Sequence, residues 1–198
     1  MRKTKYIILT AIILILLSTN VMANNNLITV PTANVANRPY IYGEILSSRR
    51  QVEMAYGITP QIEVGAMLRS DRNKDPQLGL VAKTILVEET ASTPSVGVGI
   101  RMNDLYFVTS KNLGLGIQGH LGIGNGELSG LFVGFNTILN PVSVSQSNRP
   151  ALPPIQLMGE YANEKINLGV SMRLQDNMNF DLGLLDMRTL KLGLGYRF

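Results

Sequence analysis

The chain ends in the stretch Leu190-Lys191-Leu192-Gly193-Leu194-Gly195-Tyr196-Arg197-Phe198, in which every second residue is apolar and the residues between are charged or glycine. A period of two places successive side chains on opposite faces of a β-strand. A transmembrane barrel strand has this pattern, because its apolar face meets lipid and its polar face meets the lumen. The alternative is the last strand of a soluble β-sandwich, which the N-terminal sequence makes less favourable.

The same alternation recurs from Tyr40 to the end of the chain, with turn residues between the alternating stretches. We predict an all-β fold, a closed antiparallel transmembrane β-barrel over residues 40–198. Single-chain bacterial barrels have even strand numbers, so 12 strands are predicted and 10 are the alternative. The predicted strands are 40–46, 51–57, 61–69, 77–86, 95–101, 105–110, 113–123, 129–138, 155–161, 165–174, 178–184 and 188–198.

Residues 1–23 have the pattern of a cleavable signal peptide: a basic start, an apolar run over 6–17 and Val21-Met22-Ala23 before the cleavage point. An uncleaved anchor is the alternative. Three of the 18 basic residues and none of the 14 acidic residues lie in this segment, so the remaining chain is nearly neutral. No nucleic-acid partner is therefore expected.

Two segments do not fit the strand pattern. Residues 24–39 are polar, bounded by proline and without clear periodicity, and they lie either in the periplasm or inside the lumen as a plug. Residues 140–154 hold four prolines in the longest predicted connection of the barrel. Counting strands back from the C-terminus puts this loop in the periplasm, although long barrel loops are usually extracellular.

The polar faces of the predicted strands define the candidate lumen-lining residues, which are Glu53, Glu63, Arg101, Gln118, His120, Glu160, Asn167, Arg173, Lys191 and Arg197. Charges of both signs in a small barrel are expected to pair with one another. The same faces carry many glycines, which make space in the lumen or allow the strands to bend: Gly65, Gly97, Gly99, Gly114, Gly116, Gly122, Gly169, Gly193 and Gly195.

Chemical catalysis is not expected. The chain has no cysteine and one histidine, His120, which points into the lumen and away from lipid in the predicted strand. No histidine and carboxylate spacing suits a metal, so no cofactor, metal or catalytic residue is predicted.

The last residues also resemble a known signal. Tyr196 followed by a terminal Phe198 is similar to the C-terminal assembly signal of outer-membrane β-barrels. The resemblance implies that the barrel-assembly machinery is a partner. It also implies that the protein resides among the lipids of the outer membrane of a two-membrane bacterium.

The stretch Leu27-Ile28-Thr29-Val30-Pro31-Thr32-Ala33 resembles the opening motif of the YjbH-like family of outer-membrane barrels, which are associated with exopolysaccharide production. Residues 110–113, 119–126, 160–161 and 166–169 are also similar to that family. Asn26 stands where the family usually has glycine, and the chain is a short member with a single barrel.

These observations predict a non-enzymatic outer-membrane barrel that assists export or assembly of exopolysaccharide or forms a narrow pore. Its partners would then include a polysaccharide. The alternative is a closed structural or tethering barrel that binds a periplasmic protein through the 140–154 loop.

Overall fold

Twelve antiparallel strands form one closed ring in the computed structural model, which describes residues 26–140 and 153–198. This confirms the predicted barrel and the larger of the two strand numbers. The predicted signal peptide and residues 141–152 of the predicted loop lie outside the described residues. The strands are β1 (Tyr40–Leu46), β2 (Arg49–Thr59), β3 (Ile62–Asp71), β4 (Gln77–Val87), β5 (Ser95–Met102), β6 (Asp104–Gly114), β7 (Ile117–Gly124), β8 (Gly130–Ile138), β9 (Ile155–Ala162), β10 (Lys165–Gln175), β11 (Met178–Leu185) and β12 (Thr189–Arg197).

The first and last strands close the barrel. Strand β1 pairs antiparallel with β12 from Tyr40 opposite Arg197 to Leu46 opposite Lys191. The backbone N–H of Phe198 extends this seam by donating to the Pro39 carbonyl at 3.0 Å. Because every strand has two neighbours, the sheet has no free edge, as a lipid environment requires.

The alternation seen in the sequence sorts the side chains between the two faces of the sheet. In β12 the exposed fractions of Leu190, Leu192 and Leu194 are 54%, 40% and 51%, whereas that of Lys191 is 4%. Large apolar side chains project outward from strands all around the ring in the same way. The barrel therefore has an apolar outer face and a buried, largely polar inner face, which is the arrangement of a membrane barrel.

The predicted strand 113–123 is wrong at its start. Strand β6 continues to Gly114, a tight turn follows at Leu115 and Gly116, and β7 begins at Ile117. Residues 114–116 have positive φ angles of 86°, 54° and 76°, which are turn conformations. Gly114 and Gly116 therefore belong to this turn and do not line the lumen.

The two rims differ in their connections. The rim at which β1 begins and β12 ends, called here the terminal rim, carries the β8–β9 connection, residues 139–154. Asn140 closes the base of this loop, since its Nδ2 donates to the Pro153 carbonyl at 2.8 Å and its Oδ1 accepts from the Ile155 N–H at 2.7 Å. The opposite rim, called the distal rim, carries a short 3-10 helix, Gly126–Leu128, between β7 and β8.

The helical part of the described chain includes no stretch that is long and apolar enough to cross a membrane.

Candidate functional site

Residues 26–39, called here the lumen segment, run from inside the barrel to the terminal rim, where residues 37–39 are exposed. The backbone turns back on itself at residues 28 and 29, with the Leu27 N–H donating to the Val30 carbonyl at 2.9 Å and Asn26 bridged to Pro31. Val30 and Thr32 have no exposed surface. The tip of this hairpin therefore lies deep in the lumen, while Pro39 leads directly into β1 at the terminal rim.

One carboxylate on the wall holds the tip of the hairpin. Glu160 on β9 accepts from the backbone N–H groups of Ile28, Thr29 and Val30 at 3.1, 3.0 and 3.2 Å. Asn167 donates its Nδ2 to the same carboxylate at 2.7 Å and so fixes its orientation. Hydrogen bonds to an ionised acceptor are the stronger kind, and a buried carboxylate needs several of them.

Three cations on other strands bind carbonyl groups of the same segment. Lys191 donates to the Ile28 carbonyl, Arg101 to that of Thr29 at 3.4 Å and Lys83 to that of Thr32 at 3.3 Å. Each cation also faces an acid on another strand: Lys191 faces Glu44 at 2.5 Å, Arg101 faces Glu53 at 3.1 Å, and Lys83 faces Glu63 at 4.0 Å. The wall charges are thus balanced among themselves and also bind the segment.

The second half of the lumen segment is held by neutral and acidic groups. Ala33 donates its N–H to Ser110 Oγ at 2.9 Å, and Ser110 Oγ lies 2.7 Å from His120 Nδ1. Ala36 donates its N–H to Glu63 at 2.7 Å. The contact between Ser110 and His120 is therefore part of the wall surface that binds the segment, and Ser110 is 1% exposed there.

The segment also packs against an apolar patch on the inner wall. Leu27, Ile28, Val30 and Ala33 form one buried cluster with wall residues of β6, β8 and β9 and with Leu128 of the 3-10 helix. The wall residues of this cluster are Tyr106, Val108, Phe132, Met158 and Ala162. Burial of such side chains contributes about 1.5–3 kcal/mol each, so apolar packing as well as polar contacts holds the segment in the lumen.

Inward glycines make room for both the segment and the aromatic side chains of the wall. A methyl group added at Gly134 would meet Leu27, and one added at Gly57 would overlap the Ala36 carbonyl. At Gly122 an added methyl group would instead overlap the Phe132 ring. The space that these glycines leave inside the barrel is therefore occupied by the segment and by the Phe132 ring.

The predicted lumen-lining residues lie on strands that surround this segment. Glu63, Arg101, Glu160 and Lys191 contact it directly, Gln118 accepts from Asn34 at 3.5 Å, and Glu53, His120 and Asn167 orient groups that do. Arg197 lines a small cavity beside Asn26, and Arg173 lies half-buried on β10. Tyr196 and Phe198 lie on the outer face, with ring centroids 5.1 Å apart.

The alternation of residues along each strand did not identify the apolar wall residues that contact the segment, namely Tyr106, Val108, Phe132 and Met158. The sequence does contain a signal for it, because residues 105–108 and 131–133 are continuous apolar runs that lack alternation. Such runs are typical of strands that are buried on both faces.

A connection between β7 and β8 reaches across the distal mouth. Residues 125–129, called here the strap, place the Glu127 carboxylate against Arg49 at 2.8 Å and against Arg69, on strands nearly opposite in the ring. Gly126 has a φ of +59° and packs directly on Asp104, whose Oδ2 accepts from the Glu127 N–H at 3.0 Å. A cavity of about 370 Å³ lies between the strap and Thr29 of the lumen segment.

We expect the strap contact to weaken in acid. Burial raises the pKa of the Glu127 carboxyl, but hydrogen bonds and charge from Arg69 and Arg49 outweigh burial, so this pKa lies below its ordinary value of 4.5. Because this pKa is lowered in the folded state, the contact stabilises that state at pH values above 4.5, the ordinary pKa of the group. That contribution is lost as the pH falls through the lowered pKa.

The melting temperature Tm of the protein and of Glu127→Gln, measured from neutral to acidic pH, checks this. The difference between the two is expected to shrink below pH 4.5, whereas Glu164→Gln, in the exposed β9–β10 turn, should show no such trend. A difference that does not change with pH would contradict the expectation.

No family model matches the sequence, and no curated protein does. Among solved structures the chain is similar to KdgM porin, with a TM-score of 0.55 and 11% identity over 81% of this chain and 98% of that one. It is also similar to KdgM porin in complex with disordered oligogalacturonate, with a TM-score of 0.51 and 12% identity over 81% and 98%.

A third similar structure is the outer membrane protein Omp33 of Acinetobacter baumannii, with a TM-score of 0.49 and 8% identity over 82% of this chain and 98% of that one. At these identities the KdgM comparisons establish a shared fold. Together with the closed ring of strands and the apolar outer face, they identify the chain as an outer-membrane β-barrel with the fold of a porin.

Proposed function

We propose that the protein is a non-enzymatic outer-membrane pore that the lumen segment closes and that opens when this segment withdraws. The main supporting observation is that the barrel closes without the segment, by pairing of β1 with β12. The wall binds the segment through non-covalent contacts only. Its end at Pro39 lies at the terminal rim, so withdrawal toward that rim requires no strand to part.

The wall charges support a lumen that can fill with water. The cations Lys83, Arg101 and Lys191 retain Glu63, Glu53 and Glu44 as partners when the segment leaves. Barrels that are closed for structural reasons alone gain little from such groups, because well-packed apolar residues stabilise an interior at least as well as buried ion pairs do. Ion pairs that persist in both states suit a wall that the segment covers when the pore is closed and that water contacts when the pore is open.

We infer that the solute is a saccharide, and that the protein assists export or assembly of surface polysaccharide. Two observations support this. The stretch that resembles the YjbH-like motif, Leu27 to Ala33, makes many of the hydrogen bonds between the lumen segment and the wall. A solved barrel of the same fold, KdgM porin, forms a complex with oligogalacturonate. In the same proposal, Tyr196 and Phe198 direct insertion by the barrel-assembly machinery into the lipid of the outer membrane.

Conductance in planar lipid bilayers tests the pore. We expect the full-length protein to be mostly silent and a chain lacking residues 24–39 to conduct steadily. Heat-modifiable gel mobility must show that both form a folded barrel. Silence of a folded, truncated barrel would contradict the proposal.

A second candidate function is a tethering barrel that binds a periplasmic protein through the 140–154 loop. The loop begins and ends at the terminal rim, the rim at which β1 begins, and Asn140 ties its two ends together. Capture of a specific envelope protein that is lost when residues 141–152 are replaced by a short glycine-serine linker would favour this candidate over a pore.

A further inference from the structure

The strap binds its own wall as a ligand would. Glu127 places both carboxylate oxygens within 3.0 and 2.8 Å of Arg49 Nη1, and one of them also accepts from Arg69. Arg49 and Arg69 lie on neighbouring strands, and Arg69 is oriented from behind by Asp71 at 3.2 Å. Two guanidinium groups that contact one carboxylate form a site whose positive charge suits an anion.

The two arginines are the more buried part of this contact, and the carboxylate is the more exposed part. The side chains of Arg49 and Arg69 are 18% and 16% exposed, whereas that of Glu127 is 50% exposed. Arg49 Nε is buried and has no hydrogen-bond partner among the described residues. Glu127 thus leaves one donor of the Arg49 guanidinium without a hydrogen bond.

A cavity adjoins the two arginines and is polar. Its volume of about 370 Å³ falls in the range of small-molecule sites. The lining includes the hydroxyl groups of Ser48 and Thr189 and the amide of Gln51, which suit the hydroxyl groups of a sugar. Thr29, at the tip of the lumen segment, forms its inner end.

We propose that Arg49 and Arg69 form a carboxylate-binding site for an acidic saccharide, which Glu127 occupies as an internal ligand until the saccharide displaces it. The inference rests on the proposed saccharide function and adds a substrate class and a place of first binding. Displacement frees the strap from the far wall, so that the ligand opens the distal mouth at the point where it binds.

Calorimetric titration of the purified full-length protein in detergent tests the site, with trigalacturonate as the acidic probe and maltotriose as its neutral counterpart. We expect Glu127→Gln to bind trigalacturonate at least about tenfold more tightly than the unmodified protein, because the competing carboxylate is gone. Both forms should bind maltotriose much more weakly than they bind trigalacturonate.

Removal of either arginine in the Glu127→Gln background should weaken trigalacturonate binding about tenfold or more. Arg49→Lys should recover only part of it, because lysine keeps the charge and loses the planar guanidinium group with its additional donors. Arg50→Gln is the matched control, since Arg50 neighbours Arg49 but is exposed on the other face of β2. Gel mobility must confirm that each variant is a folded barrel.

Three results would overturn the proposal: equal binding of both sugars, unchanged binding when both arginines are replaced, or binding of acetate as tight as that of trigalacturonate, which would make this a simple anion site. The test is separate from that of the pore. A truncated barrel that conducts, with no acidic-sugar binding, refutes only this inference. Binding at the two arginines, with a silent truncated barrel, refutes the pore and leaves the site.

Discussion

Glu160→Gln is expected to release the lumen segment while the barrel remains folded. Among the described residues Glu160 has no lysine or arginine partner, and its carboxylate is held by Asn167, by the Thr29 hydroxyl and by the N–H groups of residues 28–30. An isosteric amide removes the charge and turns an N–H donor toward other donors. The loss is about 3 kcal/mol, because several charge-assisted hydrogen bonds weaken together.

A loss of that size shifts the balance between bound and released segment about a hundredfold. The measurement is the reactivity of a cysteine placed at Ala33 with a polar maleimide, which is a clean probe because the chain has no other cysteine. Ala33 is 4% exposed, so the reagent should react slowly with the parent protein and rapidly with Glu160→Gln. Steady conductance should appear in the same variant.

Glu164→Gln provides the matched control, because it removes the same charge in the exposed turn after β9. It should change neither thiol reactivity nor conductance. A protected cysteine in a folded Glu160→Gln barrel would mean that the apolar cluster and the remaining polar contacts retain the segment without Glu160. A reactive cysteine without conductance would mean that the barrel stays closed by other means, and the pore would then be refuted.

The sequence predicted the barrel well because its signal is local. Each strand reports its own two faces through alternation, and twelve such stretches require only that neighbours pair in order. The one misplaced start, at Leu113, arose because the turn at Leu115 and Gly116 keeps the alternation of leucine and glycine. Left-handed φ angles produce that turn, and nothing in the pattern of apolar residues records them.

The candidate site was less predictable because its contacts are remote in sequence. Ile28 and Glu160 are 132 residues apart, and the lumen segment has no periodicity that would indicate which wall residues it meets. Inward polar positions followed from strand phase, whereas their partners did not. The family-like motif at Leu27 to Ala33 marked the segment as unusual, since a strand pattern does not require it, but gave no indication of its seat.

Phe132→Ala is expected to cause the larger loss of global stability. The ring is 1% exposed, lies over Gly122 on the neighbouring strand, and packs in the same cluster as Leu27 and Val30. Glycine has no side chain with which to fill the void that truncation leaves. Loss of a buried phenylalanine side chain costs about 3–5 kcal/mol, from lost apolar burial and from the residual cavity.

Guanidinium unfolding of the barrel in a fixed lipid or detergent system measures this loss. Phe132→Leu is the control, because it keeps most of the volume and should cost less than about 1.5 kcal/mol. Since the ring also belongs to the apolar cluster that packs against the segment, Phe132→Ala should raise the reactivity of a cysteine at Ala33 as well, and Phe132→Leu should raise it less. Equal losses of stability for alanine and leucine would mean that the inner cluster is not packed around this ring. Unchanged thiol reactivity would then assign retention of the segment to its polar contacts with the wall.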